Sequence, residues 1–132
     1  MALDSAHPEA RRHDRDIWRL PKVVDLEVGV RHFEPPRRVT EEGKDRFVDE
    51  AVEIAIRVSE PFETRALNPV LWVGEEPLTV AEPEPDAPDV VRFYSFAPEA
   101  LQTGAPIALA WNATGAERME TGFRFERGEA RA

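Results

Sequence analysis

Cysteine is absent from this chain of 132 residues, and histidine occurs only three times, at His7, His13 and His32. Without thiols the protein has no disulfide framework, no thiolate zinc site and no thiol nucleophile. Arg11 and Arg12 lie between the first two histidines and repel a bound cation, and no H-E-x-x-H pattern is present. We therefore expect neither a metal nor a cofactor.

Long apolar runs are also missing. No stretch approaches the ~20 apolar residues of a membrane-spanning helix. The opening sequence MALDSAHPEARRHDRD has no apolar core of the kind that a signal peptide needs. These two observations predict a protein without a membrane partner, located in the cytoplasm.

Motifs of catalysis are lacking as well. The seven glycines form neither GxxxxGK nor GxGxxG, and no G-x-S-x-G elbow occurs. A catalytic triad would have to combine His32 with Ser59 or Ser95, which lie in or beside predicted strands rather than on an exposed turn. The sequence therefore predicts a protein that is not an enzyme.

Basic residues are scarce in most of the chain. Residues 1–46 hold ten acids and ten bases, whereas residues 47–132 hold sixteen acids and seven bases and so carry the whole net charge of −9. Nucleic-acid binding draws on clustered lysine and arginine, so we expect no nucleic-acid partner.

The segment 75–89 has six carboxylates and no base. Calcium needs about six to eight converging oxygens, whereas prolines favour an extended chain that separates carboxylates. We interpret this segment as a solvated connection.

The sequence does have regular alternation. In VVDLEVGVRHF (23–33) and VEIAIRV (52–58), apolar and polar residues alternate with the period of two that is typical of half-buried strands. Turns rich in Gly, Pro and Asn separate five further short runs: PVLWV (69–73), LTV (78–80), VVRFYSF (90–96), IALAW (107–111) and TGFRFE (121–126). Seven short strands with such turns predict an all-β protein, and we expect an immunoglobulin-like β-sandwich.

One domain with one flanking arm is predicted from the length and the prolines. Residues 1–22 form an irregular or short-helical N-terminal arm, in which Pro8 opens a short helix and Pro21 ends it. Residues 23–132 form the sandwich, interrupted by a long polar connection at 34–50 that holds at most a helical turn.

The sequence LQTGAPIALAW, followed by TGFRF, resembles the last two strands of many bacterial immunoglobulin-like modules. The resemblance rests on packing residues, so it implies a fold and no chemistry. Some such modules bind copper through His and Met, but here the chain after residue 32 has no histidine and only Met119. Copper binding is therefore not implied.

Two of the predicted strands are apolar on both faces, which a half-exposed sheet does not require. The candidate binding residues on their second face are Trp72, Arg92, Tyr94 and Phe96. Three explanations remain open. The arm or the long connection covers this face, another protein or a second copy covers it, or the rings form a platform for a sugar or another flat ligand.

The predicted short helix of the arm carries its large apolar side chains, Ile17, Trp18 and Leu20, near one end. They are too few for the arm to fold alone, so we expect them to dock on a partner or on the chain itself. Together these features predict a non-enzymatic protein–protein interaction module, an accessory or structural subunit of a larger bacterial-type assembly. Its partner would be another protein or a second copy. The alternative is a β-sandwich that binds a small ligand or carbohydrate on an aromatic platform.

Overall fold

The computed structural model describes residues 20–61, 69–111 and 117–126. These residues form two antiparallel sheets and a single-turn 3-10 helix at Pro98–Ala100. The strands are β1 (Val23–Glu41), β2 (Lys44–Val58), β3 (Val70–Val73), β4 (Glu76–Leu78), β5 (Val80–Glu84), β6 (Ala87–Ser95), β7 (Pro106–Ala110) and β8 (Met119–Arg124). The prediction of an all-β protein is confirmed.

Each sheet has four strands within the described ranges. The first sheet has the order β1-β2-β6-β5, and the second sheet has the order β4-β3-β7-β8. All neighbouring strands are antiparallel. In this part of the chain, no helical segment has both the length and the apolar character needed to cross a bilayer.

The core lies between the two sheets. Alternation along β2 and β6 directs Ile54 and Phe93 inwards from the first sheet, and both side chains are fully buried. From the second sheet, Leu71 and Leu109 pack into the same cluster, which Phe125 completes after β8. The two sheets therefore pack face to face as a sandwich.

Residues 34–50, for which the sequence predicts a connection, form most of the outer half of the β1–β2 hairpin. Glu41 pairs with Lys44 across the turn Glu42–Gly43, whose φ angles of 52° and 77° are both positive. A two-residue turn with this backbone matches the twist of paired strands. Gly43 therefore belongs to a hairpin turn. The helical turn that the sequence allows in this segment does not form.

The described residues contain eight strands rather than the seven that the sequence predicts, because LTV is divided between β4 and β5 at Thr79. Much of the acidic segment 75–89 is also strand rather than connection. β5 is the edge strand of the first sheet, where Pro83 is tolerated because an edge residue needs no second ladder partner.

The end of the N-terminal arm is attached to the sandwich. Leu20 packs against the core cluster, and Ser59 donates its N–H to the carbonyl of Lys22 at 2.8 Å. The backbone N–H of Lys22 in turn donates to the Ser59 hydroxyl at 3.1 Å. The rest of the arm, residues 1–19, lies outside the described residues.

Candidate functional site

The predicted binding residues do not lie on one surface. Trp72 lies on the outer face of the second sheet, whereas Arg92 and Tyr94 lie on the outer face of the first sheet. Phe96 follows directly after β6. Leu20 contacts the core, and Ile17 and Trp18 lie outside the described residues. The single aromatic face that the sequence suggests is thus two faces on opposite sides of the sandwich.

The Trp72 ring is covered by an arginine. Trp72 is only 5% exposed, and the guanidinium carbon of Arg118 lies 3.9 Å from the ring centroid. Arg118 also donates to the carbonyl of Gly74 at 3.1 Å and to the Glu75 carboxylate at 3.0 Å. The indole N–H of Trp72 is buried and has no hydrogen-bond partner among the residues that the structure describes. This ring is therefore held in a closed cation–π contact rather than presented to a ligand.

Tyr94 lies in a cluster of three rings on the outer face of the first sheet. The centroid of its ring is 6.1 Å from that of Phe33 and 6.5 Å from that of Phe96. Phe33 and Phe96 are 6.3 Å apart, and the guanidinium of Arg37 lies within 6 Å of both rings. Tyr94 is only 2% exposed, although its strand position directs it away from the core. The chain itself therefore covers this second aromatic residue.

The Tyr94 hydroxyl, on β6, connects charged side chains from two other strands, β1 and β5. Arg31 of β1 donates to this hydroxyl at 2.6 Å, and the hydroxyl donates to Glu82 of β5 at 3.2 Å. Glu82 also accepts from Arg37 at 3.3 Å. Burial raises the pKa of the Tyr94 hydroxyl, and the carboxylates of Glu53 and Glu82 raise it further, whereas Arg31 opposes them. The hydroxyl therefore stays protonated and is not poised to act as a base.

Arg92 extends the same network towards the other end of β5. Its Nε donates to Glu84 at 3.0 Å, and its guanidinium lies 3.5 Å from Glu53. The hydrogen bond to Glu84 raises the pKa of the Arg92 guanidinium, against the opposing effect of partial burial. Arg92 is therefore a charged, already paired group within this network.

A shallow cavity of about 250 Å³ lies beside Arg92, over the small side chain of Ala55. Asp25 and Arg57 line it, and they form an ion pair with each other at 3.3 Å. Because both guanidinium groups at this cavity already have carboxylate partners, it offers no free charge for an anionic ligand.

The outer part of the β1–β2 hairpin, Arg37–Val48, is named the ribbon. It pairs with no further strand in the described ranges, because β2 meets β6 only from Val52 onwards. One face of the ribbon contacts the sandwich through Arg37 and through Arg46, which donates to the carbonyl of Phe96 at 2.8 Å. The ribbon is thus held against the first sheet at both strands.

The other face of the ribbon points to solvent. Phe47 pairs with Arg38 across the hairpin and is 68% exposed, the highest value among the large apolar residues that the structure describes. Thr40 and Asp45 lie on this same face, joined by a hydrogen bond of 2.6 Å. The ribbon therefore presents an aromatic side chain on a supported surface.

Sequence reasoning missed the ribbon and the residues that fasten it, among them Phe33, Arg37 and Phe47. Along β1, Phe33 alternates with the residues predicted to face the core. This alternation was the one available signal that an aromatic ring lies on the outer face. No three His, Asp or Glu side chains converge as a metal site within residues 20–61, 69–111 and 117–126. Comparison with family models, curated proteins and solved structures finds no match for this chain.

Proposed function

We propose that this protein is a non-enzymatic protein–protein interaction module, an accessory or structural subunit of a larger assembly, that docks through the ribbon. The observation that carries the proposal is Phe47, an exposed ring on a hairpin that is fastened to its own sandwich. Aromatic and arginine side chains concentrate the binding energy of protein interfaces, and Phe47 and Arg38 lie side by side here.

The fastening of the ribbon strengthens this argument. A single exposed apolar residue is common on protein surfaces and proves nothing alone. A surface held in one conformation before binding, however, loses less conformational entropy when it binds. The contacts of Arg37 with Glu82 and of Arg46 with Phe96 hold the ribbon in this way.

The same proposal includes an immunoglobulin-like sandwich. Such folds place strands A, B, E and D in one sheet and C, F and G in the other. With the strands lettered A, B, C, C′, D, E, F and G in chain order, the two sheets become A-B-E-D and C′-C-F-G. This agreement, together with the resemblance of the last two strands, supports the assignment.

The alternative function, a sugar or another flat ligand on Trp72 and Tyr94, is less favoured. A stacking platform needs exposed rings on one surface, whereas these rings are 5% and 2% exposed and lie on different sheets. A ligand would have to displace Arg118 from the first ring, or Phe33 and Phe96 from the second.

The proposal is tested by affinity capture from the lysate of the source cells, with bound proteins identified by mass spectrometry. We expect Phe47→Ser to lose a partner that the wild type retains. Val24→Ser is the matched control, because Val24 is 50% exposed at the other end of β1. Trp18→Ala tests the arm in the same experiment. Equal capture by the wild type and Phe47→Ser would contradict docking through the ribbon.

A further inference from the structure

The ribbon has an open edge along the outer half of β1. β1 is the outermost strand of the first sheet, and no strand in the described part of the chain pairs with its other side at Arg37–Glu41. Such an edge exposes unpaired N–H and C=O groups, which can pair with a further strand.

The turn determines which backbone groups are free. A two-residue hairpin turn closes on a pair that exchanges backbone hydrogen bonds, and this pair is Glu41 and Lys44. Because hydrogen-bonded and non-hydrogen-bonded pairs alternate along antiparallel strands, the backbone groups of Thr40 and Arg38 point away from β2. The open edge therefore offers two N–H and two C=O groups.

We propose that this edge pairs antiparallel with the same edge of a second copy of the chain. This inference rests on the proposed role of the ribbon as an interaction surface. The two-fold axis passes through Val39, which lies opposite Val39 of the second copy. Arg38 then lies opposite Thr40 of the second copy, so the free backbone groups of both strands meet each other.

Charge complementarity selects this register. The Val39 register places Arg37 opposite Glu41 of the second copy, and the two-fold symmetry forms the same pair a second time. Opposite charges that face each other across strands are stabilising. A shift by two residues in one direction brings Arg38 opposite Arg38 of the second copy, which is repulsive. A shift in the other direction brings the turn residue Glu42 into the pairing. Only with Val39 on the two-fold axis do all five residues of Arg37–Glu41 pair with residues of the same segment in the second copy.

At the level of the ribbon the two copies together form four strands, in the order β2-β1-β1-β2. A five-residue edge is short, and interfaces well below about 1,200 Å² belong to weak, transient complexes. Each copy also carries a net charge of −9, which opposes association. The dimer is therefore expected only at high protein concentration.

The backbone pairing is tested by sedimentation velocity of the full chain over a concentration series. Wild type is expected to shift reversibly from monomer towards dimer as the concentration rises. Thr40→Pro removes an outward N–H, and proline is tolerated on edge strands. We expect it to abolish the shift. Thr40→Val is the matched control, because it loses the hydroxyl contact with Asp45 but keeps the N–H.

The register is tested by charge reversal. Glu41→Arg and Arg37→Glu should each weaken self-association, because each places like charges opposite one another. An equimolar mixture of the two variants should associate again, because both cross-strand pairs become complementary. Since Arg37 also contacts Glu82, a thermal unfolding curve for each variant accompanies this test.

A wild type that stays monomeric at every concentration, or a dimer unaffected by Thr40→Pro, would overturn the inference. An unrestored mixture would overturn the register. None of these results would contradict the proposed function. That proposal is contradicted separately if Phe47→Ser captures the same proteins as the wild type.

Discussion

The ionisation of Tyr94 offers a direct test of the network on the first sheet. Tyr94 is the only tyrosine in the chain, so its absorbance reports one site. Its ring is buried, and its hydroxyl donates to Glu82 while Glu53 lies nearby, so that a tyrosinate would be both desolvated and repelled. These effects raise the pKa of the Tyr94 hydroxyl in the folded protein, against the opposing charge of Arg31.

The direction of the effect on stability follows from linkage. The unfolded chain has an ordinary tyrosine with a pKa of about 10, so it releases this proton more readily than the folded protein does. The contribution is complete below pH ~10 and is lost as the pH rises further, by about 1.4 kcal/mol for each pH unit until the folded protein also ionises. Alkaline conditions should therefore destabilise the fold through this residue.

The assay combines a spectroscopic titration with denaturant unfolding. Near-ultraviolet absorbance of the folded protein should show no tyrosinate at pH values where the denatured chain is already ionised. Tyr94→Phe removes the titrating group but keeps the ring, so its stability should decline less steeply at high pH. At neutral pH we expect this variant to be less stable by about 1–2 kcal/mol, because a hydrogen bond to charged partners is lost and those partners are half-exposed to water. A folded protein whose tyrosine titrates near pH 10 would refute the reasoning.

Three further predictions concern the turn, the second sheet and the core. Glu42→Asn should stabilise the protein by up to about 1 kcal/mol in denaturant unfolding, since Glu42 has a positive φ of 52° and Asn-Gly is preferred in such turns; a loss of stability would contradict the turn assignment. Arg118→Ala should uncover the Trp72 ring, shift its fluorescence to the red and lower stability by about 1 kcal/mol; an unchanged spectrum would show that the guanidinium does not shield the indole. Ile54→Ala should lower stability by about 2–5 kcal/mol because Ile54 is fully buried, whereas Val30→Ala, on a side chain 56% exposed, should change it by less than about 0.5 kcal/mol. Similar effects for the last two variants would contradict the difference in burial between Ile54 and Val30, which lies on the edge strand β1.

Alternation was a reliable guide in β2 and β6, the two inner strands of the first sheet. Ile54 and Ile56 of β2, and Phe93 of β6, are buried as their parity predicts. Each of these strands directs alternate side chains into the core and to the outer face, so the alternation in the sequence follows the alternation in burial. This is why the all-β class could be predicted from the sequence.

The ribbon could not be predicted in the same way. It has no core side, because it extends beyond β6 and contacts the sandwich through polar side chains such as Arg37 and Arg46. Its pairing is stabilised by its turn and by cross-strand contacts between Thr40 and Asp45 and between Glu41 and Arg46. These interactions involve polar side chains and need no alternation of apolar and polar residues. The sequence of the segment therefore resembles that of a polar connection.

The grouping of Trp72 with Tyr94 failed for a different reason. Parity shows that a side chain leaves the core, but it does not show which of two sheets the strand joins. Strand order assigns β3 to one sheet and β6 to the other, and only long-range pairing decides that order. The candidate site therefore depended on information that lies outside any single strand.

Amide hydrogen exchange along the ribbon, followed by NMR at low protein concentration, shows directly whether Arg37–Val48 is a paired hairpin. Both interaction proposals require a paired hairpin rather than a loop. We expect alternating protection, with slow exchange at Arg37, Val39, Glu41, Lys44, Arg46 and Val48, and fast exchange at Arg38, Thr40, Asp45 and Phe47. Uniformly fast exchange across Arg37–Val48 would contradict the ribbon and, with it, the surface on which docking is proposed.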